Sequence, residues 1–202
     1  MHLVRLHVRR LSALLLTLSV AAPAAAQTNV AGRLSRITID NFGEVNPHYF
    51  RGAQPKGHDY ADLAALGVKT VIDLTKDGDL NENQLVENAG MSFHRIPLTT
   101  TSRPDAAAVE EFLKLVNDPA NQPVYVHCQG GRHRTGTMTA VYRMTQDGWT
   151  ADRAFDEMRK YQFEKGFVSH NTLKGFVYDY YSGMQQAQAE QRHVAAGGGG
   201  RE

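Results

Sequence analysis

Three times between Tyr60 and Val126 the chain runs from a short amphipathic stretch into a brief apolar one. Ala61, Leu63, Ala64 and Leu66, closed by Gly67, lead into Val68 to Leu74; Leu80 to Ala89, closed by Gly90, leads into Met91 to Ile96. Ala106 to Val116, with Val109, Phe112, Leu113 and Val116 at helical spacing, leads into Val124-Tyr125-Val126. Apolar runs this short fit buried strands, and the preceding stretches have the 3.6-residue period and glycine stops of helices. Helices alternating with strands predict an α/β domain, with a central, mostly parallel sheet flanked by helices. After Arg134 the pattern is helical throughout, over Thr135 to Asp147 (stopped by Gly148), Ala151 to Tyr161 (N-cap Thr150), and Ser169 into the 180s.

The ends read differently. Arg5, Arg9 and Arg10, the apolar stretch Leu11 to Val20, and Ala24-Ala25-Ala26 follow the charged, apolar, small order of a secretory signal peptide cleaved after Ala26. The apolar stretch, broken at Pro23, falls short of the roughly 20 residues that span a bilayer. Export to the periplasm or outside the cell is the expectation, with no membrane attachment after cleavage. The expected organisation is a signal peptide over 1–26, an N-terminal extension over 27–47, one domain over 48–184 and a disordered tail over 185–202, where apolar periodicity stops and Gly197 to Gly200 follow.

Composition narrows the function. The chain has 22 Lys and Arg against 21 Asp and Glu; the signal peptide holds three of the arginines and no acid, so the mature chain is slightly acidic. That excludes the basic footprint of a general nucleic-acid binder. One cysteine, Cys128, excludes an internal disulfide framework and any multi-thiolate metal site. His94 and His170 lack metal-ligand spacing and read as structural, and Trp149 reads as packed between helices.

The chemistry concentrates in Val126-His127-Cys128-Gln129-Gly130-Gly131-Arg132-His133-Arg134-Thr135-Gly136, between the last strand and a helix. A five-residue loop with two glycines can curl so that successive N–H groups point inward, and the helix adds its own free N–H groups and dipole. Gln129, Gly130, Gly131, Arg132 and His133 then form an anion cradle, over which Arg134 closes on two phosphate oxygens in a bidentate pair that lysine would not copy. Cys128, beside the same groups, is predicted to ionise readily and to act as a nucleophile toward phosphorus. Arg132 and His133 either raise the local positive potential, favouring multiply charged phosphates, or simply brace the loop or face solvent. Lys56, Lys76 and Arg103 are candidates for the rim.

The Cys-x5-Arg-Ser/Thr pattern resembles the signature of the protein tyrosine and dual-specificity phosphatase superfamily. The likeness extends over roughly residues 48–180, through Tyr49-Phe50-Arg51-Gly52-Ala53-Gln54-Pro55 and Val71-Ile72-Asp73-Leu74, and His133-Arg134-Thr135-Gly136 is similar to the atypical dual-specificity phosphatases of plants and fungi, a branch that includes phosphatases of inositol pyrophosphates. The resemblance implies a phosphatase-like fold and a phosphocysteine intermediate on Cys128. It further implies that Arg134 binds phosphate, Thr135 helps the cysteine depart in hydrolysis and His127 orients the loop, with no metal or organic cofactor. It implies a phosphorylated protein or small-molecule phosphate as substrate; a monomer is the expectation, with no residue in the sequence to fix it.

One part of the pattern is missing. Such enzymes carry an aspartic acid on a mobile loop to protonate the leaving oxygen. Set beside that loop, Ile96 to Asp105 places the acid near Thr100, which has no carboxyl group. Asp105 is the nearest carboxylate and the candidate acid, yet Ser102-x-x-Asp105 also reads as a capping box. Asp77 and Asp79 are alternatives, against their reading as a solvated turn around Gly78. The expected function is hydrolysis of phosphotyrosine or other phosphomonoesters. The alternatives are an inositol phosphate or pyrophosphate phosphatase, or a phosphate-binding module with weak turnover; sulfur transfer lacks a second thiol to resolve it.

Overall fold

The computed structural model describes residues 32, 34–165 and 171–197. The proposed signal segment, His170 and the terminal residues 198–202 lie outside them.

Five strands form one sheet: β1 (Gly43–Asn46), β2 (Tyr49–Ala53), β3 (Thr70–Asp73), β4 (Ser92–Arg95) and β5 (Val124–Cys128), in the order β1-β2-β5-β3-β4. All neighbours are parallel except β1, which pairs antiparallel with β2. The predicted parallel sheet is therefore present, with an antiparallel edge contributed by residues expected to be extension. Neither β1 nor β2 shows the helix-strand alternation that marked the other three, so the domain begins earlier than residue 48.

The helices are α1 (Asp59–Leu66), α2 (Glu82–Asn88), α3 (Ala106–Asn117), α4 (His133–Gln146), α5 (Ala151–Lys160) and α6 (Asn171–Gly197). Side chains alternate across the sheet. Val124, Val126 and Cys128 face a core built with Phe112, Met138, Val141, Phe155 and Leu173 of α3 to α6. Tyr125 faces the opposite core, built with Tyr60, Leu63 and Leu66 of α1 and Val86 of α2. α1 stops at Gly67, whose φ of 101° suits a residue without Cβ and whose N–H returns to Ala64 O at 3.0 Å.

Two boundaries depart from expectation. α6 runs to Gly197, so residues 185–197, expected to be disordered, are helical. Gln, Ala, Glu and Arg dominate that stretch and favour helix without packing; its described side chains are nearly all exposed. Trp149 is not clamped between apolar helix faces but lies between the guanidinium groups of Arg143 and Arg153, 4.3 and 3.9 Å from its ring centroid.

β5 lies at the centre of the sheet, between β2 and β3, where the order of the parallel strands changes direction. Open parallel sheets bind ligands at such a point, beyond the carboxyl ends of the strands. Cys128 is the last residue of β5.

Candidate active site

The loop after Cys128 is held from behind. Gln129 O accepts from Gln54 N (3.3 Å), Gly130 O from Asn41 Nδ2 (2.8 Å) and Gly131 O from Arg51 Nη2 (2.7 Å). Three consecutive carbonyls thus face β2 and the segment before β1. In a planar trans peptide the following N–H points the opposite way, so those of Gly130, Gly131 and Arg132 turn toward the mouth. Gly131 has φ of 63°, and a Cβ there would stand 2.4 Å from Gly52 C and 2.5 Å from Gly52 O. Both the turn and the approach to β2 demand glycine.

α4 starts directly after this loop and has no side-chain N-cap, whereas α3 is capped by Asp105 and α5 by Thr150. Its first N–H groups and dipole remain available to an anion. Arg134, in its first turn, is 7 % exposed; Nη1 approaches Leu98 O (3.3 Å) and Asp77 Oδ1 (3.4 Å), while Nε is buried without a partner. A buried donor of this kind fits a ligand that supplies the missing acceptor.

Cys128 is 2 % exposed. Burial pushes its thiol up, but the hydroxyl and backbone N–H of Thr135 and the charges of Arg134 and His127 outweigh burial and hold it below the ordinary thiol range. Thr135 Oγ1 is buried with no oxygen or nitrogen partner, which leaves its proton for the sulfur. Around this sulfur opens a cleft of about 670 Å³ lined by Lys76, Asp77, Thr99, Thr100, Arg132, His133 and Lys165, among others.

His127 points to the other face of the sheet. Its Nε2 lies 2.9 Å from Glu82 Oε1 and its Nδ1 3.9 Å from Asp73 Oδ1, and all three side chains are fully buried. The three bring possible metal ligands within 4.8 Å of one another. The carboxylates are already occupied by protein donors: Arg95 Nε holds Asp73 at 2.7 Å, and Gln54 Nε2 and Tyr60 OH donate to Glu82 at 2.6 and 3.3 Å. This knot braces β3, β5 and α2 behind the loop, although Glu82 Oε2 and both ring nitrogens of His127 have no hydrogen-bond partner.

Of the residues singled out from sequence, Cys128 to Thr135 come together and Lys76 joins them at the rim. Asp105 does not. Its Oδ1 accepts from Ala108 N at 2.8 Å as the N-cap of α3, and it is absent from the cleft lining. The predicted box also shifts: Ser102 bonds Thr99 (Oγ to Oγ1, 2.6 Å) and Asp105 is itself the cap. Lys56 is exposed off the cleft, and Arg103 pairs with Asp179 at 2.7 Å. The carboxylate on the cleft is Asp77, 3.4 Å from Arg134 with its side chain 86 % exposed. Sequence reasoning missed Lys165 and Asn41, which no local pattern marks.

A family model described as DSP-PTPase phosphatase fused to NAD+ kinase matches residues 36–175, well over half of the chain. The chain is 30 % identical over 131 residues to inositol diphosphatase DSP2 of Oryza sativa subsp. japonica, covering 62 % of this chain and 63 % of that protein. It is 32 % identical over 121 residues to dual specificity protein phosphatase TpbA of Pseudomonas aeruginosa, covering 59 % and 54 %. The shared stretch thus spans less than two-thirds of either relative. Among solved structures, the core catalytic domain of the PP-IP phosphatase SIW14 from S. cerevisiae superposes with a TM-score of 0.60 at 26 % identity, covering 69 % of this chain and 84 % of that one.

Proposed function

Because this chain belongs to the DSP-type PTPase family, we propose that it is a cysteine-dependent phosphatase that hydrolyses phosphotyrosine or other phosphomonoesters. One observation carries the reading: three loop carbonyls tied outward around a low-pKa cysteine, facing a buried arginine with an unused donor.

The chemistry follows from the geometry. The Cys128 thiolate attacks phosphorus in line, forming an S–P bond as the ester P–O bond breaks. Negative charge on the phosphoryl oxygens is met by the N–H groups of Gly130, Gly131 and Arg132, the start of α4 and Arg134. Asp77 is the carboxyl group placed on the cleft to protonate the departing oxygen, taking the role first assigned to Asp105. Water then attacks the phosphocysteine, its proton passing to Asp77, and the sulfur departs as thiolate with the Thr135 hydroxyl beside it. His127, fixed by Glu82, orients the loop.

A second reading is favoured by the rim. Lys76, Arg132, His133, Arg134 and Lys165 face one carboxylate, Asp77, and three relatives are named inositol diphosphatases. A site so charged suits a multiply phosphorylated small molecule. We further propose that the enzyme acts in the periplasm or outside the cell, a reading supported by the order of residues 1–26.

The test is phosphate release by residues 27–202 from a phosphotyrosine peptide, a phosphoserine peptide and inositol hexakisphosphate, beside Cys128→Ser and with chelator present. Turnover lost in the variant supports the mechanism, and the ranking of substrates selects the reading. Tungstate binding without turnover on any of them would overturn both in favour of a binding module.

A further inference from the structure

Arg51 on β2 is the least expected side chain in the core. It is fully buried, yet only Nη2 has a partner, Gly131 O at 2.7 Å; Nε and Nη1 have none. The ring of Tyr161, just past α5, covers its guanidinium at 3.9 Å. No carboxylate lies within ion-pair distance of it among the described residues. Glu157, the acid nearest in effect, is engaged by Arg143 at 2.8 Å. A buried cation without a counter-ion is costly, and proteins rarely keep one where a neutral side chain would pack as well.

Its position supplies a reason. Arg51 pairs in register with Val126 on the adjacent parallel strand, and Cys128 is two residues further along that strand. Side chains two apart share a face, so Arg51 and Cys128 stand on the same side of the sheet, under the same loop. The groups that face Arg51 are Tyr49 of its own strand, Glu157 and Tyr161 from the α5 side, and Cys128 of β5. Those that act on Cys128 are Thr135 and Arg134 of α4 and the adjacent His127 of β5, whose ring lies on the other face of the sheet. Glu157 acts on Arg51 more strongly than Cys128 does but is committed to Arg143, so the thiolate, or a phosphate bound over it, is the remaining anion on this side of the sheet among the described residues.

We infer that Arg51 is a positioning residue for the phosphatase reaction: a hidden cation that ties Gly131 into the anion-binding loop and directs uncompensated charge at Cys128 and the phosphate above it. This rests on the phosphatase reading of the site. It goes beyond that reading in assigning part of the oxyanion field to a residue that cannot touch solvent. Coupling of this kind is reciprocal: an anion that satisfies Arg51 is itself held by Arg51.

The test separates tether from charge. Arg51→Gln keeps an amide donor for Gly131 O and loses the charge; Arg51→Lys keeps the charge. Iodoacetamide alkylation of Cys128 across pH and tungstate binding are measured for the full mature chain, with circular dichroism to establish folding. The Gln variant is expected to move the alkylation midpoint up by about one pH unit. It should also bind tungstate about tenfold more weakly, as befits a lost buried charge. The Lys variant should keep most of both. A folded Gln variant with the wild-type midpoint and tungstate affinity would overturn the inference. So would a Lys variant that falls with Gln, since the retained charge would then sustain neither property. Tyr161→Leu covers the case in which Gln does not fold: it keeps Arg51 and admits water over it, and should move the midpoint up by a smaller amount, while no movement would overturn the inference. A wild type that binds tungstate but releases no phosphate would remove the phosphatase reading and leave these comparisons intact.

Discussion

The two walls of the cleft are built to different standards. On the Cys128 wall, three consecutive carbonyls each have a donor behind them, Gly131 fits against the backbone of Gly52, and Arg134 is 93 % shielded by its neighbours, being 7 % exposed. On the facing wall, Thr99 and Ser102 bond chiefly to each other, Thr101 is exposed, and Asp77, the one carboxylate lining the cleft among the described residues, has 86 % of its side chain in solvent. Binding a phosphoryl group requires fixed dipoles, which cost no reorganisation at the moment of reaction. Proton delivery tolerates a side chain that swings in with the substrate. The chain has invested in the first and left the second loose.

That contrast is breakable. If the Cys128 wall does the chemistry, Cys128→Ser should lower turnover on the order of 10³-fold or more while tungstate still binds, as a missing nucleophile does. Arg134→Lys should cost about 10²-fold in kcat/KM, because a point charge cannot reproduce the planar fork. On the facing wall, Asp77→Asn should lower kcat/KM on an alkyl phosphate by about 10- to 100-fold and leave kcat/KM on p-nitrophenyl phosphate nearly untouched, since only the poor leaving group needs the proton in the first step. Equal losses on both substrates would move Asp77 from proton donor to a partner that holds Arg134. Asp105→Ala should leave kcat unchanged and cost about 1 kcal/mol of stability, the usual penalty for a lost N-cap; a fall in kcat would return Asp105 to the site.

The smallest effect is a pH linkage. The folded protein holds the Cys128 thiol below its ordinary value, so the folded state releases its proton before the unfolded state does. Relative to Cys128→Ser, wild type should gain stability as pH rises through the folded value, reach the full gain above the unfolded thiol near about 8.5, and lose it as pH falls again. Denaturant midpoints of the pair across this range check the sign.

The same contrast explains what could be read from sequence. The proposed phosphate loop is contiguous: residues 127–135 carry the proposed nucleophile, cradle and clamp, so spacing alone assembles them. The α/β alternation was legible for the same reason, since each helix, stop and strand is local. β1 escaped because its Gly43-Glu44-Val45-Asn46 has one buried residue, Val45, and no apolar run. The rest of the site, the bracing of the loop included, depends on contacts between distant segments. Asp77 meets Arg134 across 57 positions, Arg51 meets Gly131 across 80 and Asn41 meets Gly130 across 89. No periodicity reports such pairs. Asp105 misled because an acid at a helix start and an acid at a catalytic loop look alike in one dimension, and only the Ala108 N–H separates them.

The measurement closest to the central claim is rapid acid quench of the mature chain during turnover of a phosphotyrosine peptide, followed by mass analysis of the peptide that holds Cys128. A phosphoryl adduct on Cys128 is expected, accumulating further in Asp77→Asn, where water is poorly activated, and absent in Cys128→Ser. Phosphate release at the wild-type rate by Cys128→Ser, or steady turnover with no adduct in either Cys128-containing form, would contradict the claim.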